Sequence, residues 1–358
     1  FTKTALAATA ASYSRILGAN DRIGIGYIGL GNRGDQVHEA FLEHGDQFTA
    51  AVCDLKEEYM DLAVKKSRGT PRKYRDYRRL LEDRDVDAVV IATPDHWHAP
   101  ATILACDAGK DVYVEKPASH NIREGRLMVD AARRNGRIVQ LGTQSRSRPW
   151  VIEAVERARS GELGRLLMAK AWDVQLRDDI GHKEDSEPPE GLDYDLYLGP
   201  TTWIPFNENR FHYKWHWHWH FGTGDAGNDG VHQIDVARWA LGEEAPTIVS
   251  GMGRKAFFDD DQQTPDTMNV TFDYGDKLLQ WEMRIWNPYG MEGVDNGVAL
   301  YGSEAMMQIG RWGRRNGYRI FDREGKMVED VEGDGSDFHA RDFLDSMRSR
   351  KLPRADIG

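Results

Sequence analysis

The sequence predicts an α/β Rossmann domain on a parallel, doubly wound sheet, followed by an α+β domain with a large, mostly antiparallel sheet. Three observations carry this prediction. An apolar run, Ile23 to Ile28, ends abruptly in glycines at Gly29, Gly31 and Gly34. Short apolar runs and helix-compatible segments then alternate to about residue 145, as they do when crossover helices cover both faces of a parallel sheet. Beyond that point the rhythm becomes long strand patterns separated by hairpin turns. The length, 358 residues, suits about two domains. We place the first at 22–145 and the second at 146–358, with residues 1–21 as an arm.

In chain order, Ile23 to Ile28 reads as the first strand and Asp35 to His44 as a helix. Phe48 to Cys53 is the second strand, ending in Asp54. Glu57 to Lys66 is helix-compatible, and a charged segment, Arg72 to Arg84, comes next. Asp87 to Ala92 is continuously apolar after its first residue, the pattern of a strand buried on both faces. Ala99 to Ala108 is a helix stopped by Gly109. Asp111 to Glu115 is a strand, Ile122 to Asn135 a helix stopped at Gly136, and Arg137 to Leu141 a strand. A helix from Val151 to Ser160 and a long strand, Leu166 to Val174, open the second domain. The section from Asp178 to Gly230 is loop-rich. Val231 to Leu241 is helical. Strand patterns come after it at Thr247 to Met252, Met268 to Tyr274, Lys277 to Trp286, Val298 to Tyr301 and Ala305 to Ile309. A last helix, Phe338 to Arg348, places Phe338, Phe343, Leu344 and Met347 near one face and is free to pack back on the first domain.

The chain is 40% hydrophobic and 29% charged, with a formal net charge of -11. A strongly acidic balance disfavours nucleic acid and anionic membrane surfaces as partners, since both reward a basic patch. No run approaches the length of a membrane span. Two cysteines, Cys53 and Cys106, cannot build a disulfide framework and read as small buried hydrophobes. Residues 1–21 are rich in Ala, Ser and Thr and read as the tail of an export signal. The opening Phe-Thr-Lys resembles the residues after the arginine pair of a twin-arginine signal, which would place the protein in the periplasm or outside the cell. Without export the expectation is cytoplasmic.

The glycine spacing is G-x-G-x-x-G. In a dinucleotide-binding unit the first glycine makes the strand-to-helix turn, the second admits the pyrophosphate, and the third lets helix and strand pack closely. The phosphates then rest on free N–H groups at a helix N-terminus, with Asn32 and Arg33 inside the loop. Asp54, twenty residues beyond Gly34, is placed to hold ribose hydroxyls, which favours NAD and leaves NADP as the alternative. A plain helix cap at Asp54 is the bland reading. The fourth predicted strand runs into Thr93-Pro94-Asp95-His96-Trp97-His98, and the next ends in Glu115-Lys116-Pro117. In an open α/β sheet, ligands bind beyond such strand ends.

These pieces together resemble the Gfo/Idh/MocA family of glucose–fructose oxidoreductases and inositol dehydrogenases. The likeness rests on Gly29-Leu30-Gly31-Asn32-Arg33-Gly34, on Thr93-Pro94 with His96 and His98, on Glu115-Lys116-Pro117, and on Gly227-Asn228-Asp229-Gly230-Val231-His232-Gln233-Ile234-Asp235. It implies that Thr93, Pro94, His96, His98, Glu115 and Lys116 join the glycine loop around the nicotinamide cofactor. It further implies catalytic roles for Lys116, touching cofactor and substrate, and for His232 as acid/base. Many members carry an Asp four residues before that His. Here the position is Asn228, and Asp229 or Asp235 could substitute. Segment Gly222-Thr223-Gly224-Asp225-Ala226-Gly227-Asn228 looks like a subgroup with export signals, in which a further segment is expected beyond Gly358. The resemblance implies a carbohydrate substrate touching Lys116, Asn228, Asp229 and His232. It also implies a homodimer or homotetramer formed through the second-domain sheet.

The chemistry of these roles stands by itself. Oxidising a secondary alcohol needs a base for the hydroxyl proton while hydride leaves carbon, and a His serves near neutral pH. A Lys needs its pKa lowered to act as a base, or else serves as a cation that steadies a developing alkoxide. Taken alone, His232 would read as a hydrogen-bonded core residue.

The most unusual composition is Phe211-His212-Tyr213-Lys214-Trp215-His216-Trp217-His218-Trp219-His220. If extended, it puts three His on one face and three Trp on the other. Zinc is not expected, because alternate strand residues splay apart and no Cys is near. Trp215 and Trp217 are candidates for platforms under a sugar ring. Packing between domains or subunits is the equal alternative.

Three functions fit the sequence. The first is an NAD(P)-dependent sugar oxidoreductase with a tightly held cofactor. The second is a redox-neutral, NAD-dependent glycoside hydrolase, in which transient oxidation drives elimination. The third is a nucleotide-binding member without catalysis.

Overall fold

A computed structural model describes residues 22–291 and 293–358. The arm and the export reading fall outside the described residues.

The first domain is a six-stranded parallel sheet in the order β3-β2-β1-β4-β5-β6. Its strands are β1 Ile23–Ile28, β2 Gln47–Cys53, β3 Arg72–Tyr74, β4 Ala88–Ile91, β5 Asp111–Val114 and β6 Val139–Leu141. Every residue of β1, β4 and β5 is buried, which explains their unbroken apolar runs: helices cover both faces. The chain leaves β1 toward one edge and returns at β4 to build toward the other. The carboxyl ends of β1 and β4, hydrogen-bonded neighbours, therefore flank the switch point where ligands bind in such sheets. The charged segment from Arg72 holds two short elements, β3 and a helix, Tyr77–Leu81. They escape a periodicity reading because each is too short to show a period.

The second sheet has eight strands in the order β14-β13-β12-β11-β7-β10-β9-β8. They are β7 Leu166–Val174, β8 Ile248–Arg254, β9 Thr267–Asp273, β10 Leu278–Arg284, β11 Asn296–Gly302, β12 Ala305–Trp312, β13 Arg315–Asp322 and β14 Met327–Gly333. All pairings are antiparallel except β7 with β10. Helices Pro149–Arg159 and Val231–Leu241 cover one face, where Val155, Ala237, Trp281 and Leu300 are buried together. The last two strands are absent from the sequence reading. Their polar faces carry charges that pair across the ladder, Arg315 with Asp330 at 2.6 Å and Arg319 with Asp330 at 3.3 Å, so few apolar residues mark them.

The final helix, His339–Ser349, packs on the first domain. Phe343 meets Phe41 edge-on at 6.1 Å, and Arg341 pairs with Asp46 at 3.0 Å. Both cysteines are buried and unpaired. Among the described residues no helix is long and apolar enough to cross a membrane.

Candidate active site

The loop after β1 is shaped by what a side chain would strike. Gly29 has φ +84°, and a Cβ there would lie 2.6 Å from the Ala92 carbonyl oxygen. A Cβ on Gly34 would lie 2.1 Å from the Gly29 carbonyl oxygen, so only glycine lets the helix Asn32–Leu42 sit this close to β1. Gly31 is different: among the described residues a Cβ there would meet only Tyr59, at 4.0 Å, and otherwise point into an open cavity. Among the described residues no side chain caps this helix, which leaves its first N–H groups to receive an anion.

Open space at Gly31 belongs to a cavity of about 660 Å³ between the two domains. Gly29, Gly31, Asn32, Arg33 and Asp54 line it from the first domain, with Thr93, Pro94, His98, Glu115 and Lys116; Trp215, Asn228, Asp229 and His232 face them from the second. Asp54 braces the glycine loop. Its Oδ2 accepts from the Leu30 N–H at 2.7 Å and its Oδ1 from the Lys56 N–H at 2.9 Å. Each oxygen keeps a lone pair for a ribose hydroxyl. The Lys56 ammonium reaches across to the His212 ring at 3.0 Å and closes this end of the cavity. The uncapped helix start, the open wall at Gly31 and the acidic Asp54 together fit a dinucleotide with its pyrophosphate at the loop and a ribose at Asp54.

At the other end, Glu115 is buried and accepts from Arg33 Nε at 2.8 Å, Gln144 at 3.1 Å and Tyr113 at 3.2 Å. Burial alone would raise its carboxyl, but Arg33 and Lys116 outweigh that and hold it below the usual range. Lys116 precedes a cis-proline, Pro117. Its Nζ donates to the Asn228 carbonyl and, at 3.0 Å, to Asn228 Oδ1. Residues 226–230 form a π-helical turn that runs into the helix Val231–Leu241, so Asn228, Asp229 and His232 reach the cavity from one continuous element. Burial, then the Lys116 charge, lowers the His232 imidazole to about 4, so it is neutral at physiological pH.

Several expected residues stand elsewhere. His96 does not line the cavity. Its Nε2 lies 3.1 Å from the Tyr197 carbonyl and its ring rests on Phe221, so it fastens the second-domain loop to the first domain. His98 touches the cavity, but its ring nitrogens lie 2.6 and 2.9 Å from the carbonyls of Pro117 and Thr93, tying the two loops together. Gly34 packs behind the loop. Asp235 is bound by Arg146 at 2.7 Å and lies off the cavity; of the two substitutes for a carboxylate at 228, only Asp229 faces it.

The aromatic segment is not extended. Residues His212–Trp217 form a 3-10 helix, which ends the alternation of His and Trp faces. Trp215 stacks on His216 with ring centres 3.6 Å apart, and both line the cavity beside Tyr213. Trp217 is buried instead, donating from Nε1 to Asp225 Oδ2 at 2.6 Å, so it is no sugar platform. Sequence spacing carries no signal for Arg177, Gln175 or Asp173, which meet Asp225 and Asp229 behind the cavity wall.

Two family models match the chain: "Oxidoreductase family, NAD-binding Rossmann fold" over residues 23–143 and "Oxidoreductase family, C-terminal alpha/beta domain" over 172–278. A glycosyl hydrolase family 109 protein of Shewanella baltica is 32% identical over 184 residues, 46% of this chain and 39% of that protein. The chain thus spans about two fifths of the length of such relatives. Inositol 2-dehydrogenase 2 of Saccharopolyspora erythraea is 30% identical over 243 residues, 66% of this chain and 60% of that protein. The WlbA dehydrogenase of Chromobacterium violaceum, solved with NADH and UDP-GlcNAcA, shares the fold with a TM-score of 0.71 at 17% identity, over 94% of this chain and 89% of that one. With both halves matched, and with a glycine loop and interdomain cavity that fit the nucleotide, the chain belongs to the Gfo/Idh/MocA family of NAD-binding oxidoreductases.

Proposed function

We propose that this protein is an NAD-dependent oxidoreductase acting on a sugar or sugar derivative, with Lys116 and His232 as its catalytic residues. The observation that carries the reading is their convergence. Lys116 from the first domain and His232 from the second line one cavity that begins at the glycine loop. The bound nicotinamide supplies the hydride acceptor or donor. Everything else falls to the chain. A sugar ring lies against the Trp215–His216 stack. Lys116, anchored by Asn228, presents its ammonium to the oxygen that gains charge as the hydroxyl proton departs. His232, neutral at physiological pH, takes that proton. Lys56, His212 and the loop held by His96 enclose the nucleotide, so the cofactor stays bound between turnovers. Such retention suits an exported enzyme, and we assign residues 1–21 to an export signal. Exposed Ile248, Val249 and Met252 on the edge strand β8 support a homo-oligomer through the second sheet.

The family 109 relatives favour a second reading, net glycoside hydrolysis by transient oxidation at the same residues. Purified protein is denatured and its released nucleotide separated as NAD or NADP. Native protein is then assayed with glucose, myo-inositol and aryl glycosides, beside His232→Ala. Turnover of a free sugar or inositol that His232→Ala abolishes supports the oxidoreductase. Aglycone release without net nicotinamide reduction supports the hydrolase. Bound nucleotide with no turnover of any probe leaves only a binding function.

A further inference from the structure

Behind the cavity wall one arginine bonds two carboxyls, with a third beside them. Arg177, just past β7, donates from Nη2 to Asp225 Oδ1 at 2.8 Å and to Asp229 Oδ2, and from Nη1 to the Tyr213 hydroxyl at 2.9 Å. The third carboxyl, Asp173, lies within 4.8 Å of the other two. Gln175 donates to Asp229 at 2.8 Å and to Asp173 at 2.9 Å. Because both contacts are amide donations, Gln175 fixes the two carboxyls but passes no proton between them. Asp225 is fully buried and takes the indole N–H of Trp217 as well. The guanidinium lies 5.8 and 5.9 Å from the ring centres of Tyr213 and Trp217. Arg177 is thereby held on two sides, by the aromatic segment and by the turn that carries the site, and its backbone N–H donates to the Ile285 carbonyl at 2.7 Å.

Its charge is shared between the buried Asp225 and Asp229, and of the two only Asp229, whose side chain is 29% exposed, lines the cavity. All three donors to Asp229, Arg177, Gln175 and Asn228, bond Oδ2. Among the described residues no hydrogen bond occupies Oδ1. Asp229 lies one helical turn before His232. Its charge matters there, because a proton on His232 would otherwise add a second buried cation beside Lys116.

We propose that Arg177 is the positioning residue of this site, holding Asp229 as an oriented carboxylate that offsets the charge His232 gains when it takes the substrate proton. The inference rests on His232 as the acid/base. No bond to Arg177 forms or breaks. The proton moves from the substrate oxygen to the imidazole, and Asp229 remains the counter-charge.

The titratable surroundings support this. Burial would raise the Asp229 carboxyl, but Arg177 chiefly, with Gln175, Lys116 and His232, holds it below the usual range. Asp173 is pushed up to about 8 by burial and by Asp229 and Asp225, so it keeps its proton at neutral pH. His216, from the aromatic segment, is lowered to about 3 by burial and stays neutral. Glu115 favours the charged His232, while Lys116 and Arg33 oppose it. Without the guanidinium, Asp229 loses the largest of the influences that lower it; Gln175 and Lys116 remain, but burial and the neighbouring Asp225 carboxylate then weigh more heavily and raise it. A carboxylate that must be ionised then protonates within the working range, and activity falls as pH drops.

The test compares the pH dependence of kcat for wild type, Arg177→Met, Arg177→Lys and the double variant Arg177→Met/Asp229→Asn, on whichever of glucose, myo-inositol or p-nitrophenyl glycoside turns over. The expected result is an acid limb displaced upward by at least about one pH unit in Arg177→Met, about a tenfold loss below it, with KM little changed. The double variant loses that displaced limb, and Arg177→Lys keeps the limb near its wild-type position. Bound nucleotide and melting temperature check that each variant is folded. Where Arg177→Met does not fold, Arg177→Lys against Asp229→Asn decides: Lys keeps the wild-type profile, and Asn lowers kcat with no displaced limb. A folded Arg177→Met with the wild-type limb position, or a displaced limb that survives in the double variant, overturns the proposal. Full activity in His232→Ala would instead overturn the acid/base assignment beneath it.

Discussion

Replacing Lys116 by Met removes a charge while keeping most of the stem's volume. In the folded protein the ammonium donates twice to Asn228, to the carbonyl and at 3.0 Å to the side-chain oxygen, and both acceptors border the cavity. Water in the cavity can replace those bonds, so the stability cost stays near the low end of the 1.5–3 kcal/mol typical of a hydrogen bond to a charged group, about 1.5 kcal/mol. The kinetic cost is larger. A preorganised donor aimed at a developing oxyanion contributes about 10²–10³ in rate, or about 2.7–4 kcal/mol. Lys116 also ranks second, after burial, among the causes that lower His232 to about 4. Removing it lets the imidazole rise, so the acid limb of sugar oxidation moves to higher pH. The assay is kcat and KM on the best substrate, with nucleotide content measured after denaturation. We expect kcat down by about two to three orders of magnitude with nucleotide retained. A variant within threefold of wild type refutes the reasoning. A variant that purifies without nucleotide shows instead that Lys116 holds the cofactor.

Two glycines separate binding from folding. Gly31→Ala leaves the apo fold near wild-type stability, because its Cβ meets only Tyr59 at 4.0 Å, but it weakens NAD binding in a titration; Gly34→Ala, 2.1 Å from the Gly29 carbonyl oxygen, costs about 1–3 kcal/mol in denaturant unfolding. Acidification destabilises the protein between pH 6.5 and 4. Unfolded histidines take up protons near 6.5, whereas burial lowers His38, His96, His218 and His232 to about 4 and His216 to about 3. The unfolded state therefore binds more protons in that window, and stability falls as pH drops through it. Asp95 and Asp173, raised to about 7 and about 8 by burial, act in the opposite sense but are outnumbered. Melting temperature against pH checks this, and a flat profile contradicts it. Val249→Glu, at a residue 57% exposed on β8, lowers the mass measured by light scattering if copies associate through this sheet; an unchanged oligomer refutes that surface.

Features with a local cause are legible in the sequence. The glycine spacing, the strand and helix rhythm of the first domain and the apolar helix faces each arise from neighbouring residues. Lys116 and His232 stand out by motif, not by physics, since His232 alone resembles any buried histidine. Features that depend on distant partners are not legible. Strands β13 and β14 carry charges stabilised only by pairing across the ladder, as Arg315 does with Asp330. The aromatic segment reads as alternating, yet Trp217 turns inward because a buried acceptor, Asp225, awaits its indole N–H. Arg177 lies 52 residues from Asp229, in a loop with no periodicity, so nothing local marks it.

We propose that a sugar and the nicotinamide exchange hydride in the cavity between Lys116 and His232. The direct measurement is the absorbance of reduced nicotinamide in the purified, NAD-loaded protein, monitored as free sugars and inositols are added, with His232→Ala alongside. We expect at least one sugar to change this band in the wild type and none to do so in the variant. A wild-type protein that holds NAD and shows no change with any sugar or glycoside, not even a transient one, would contradict it.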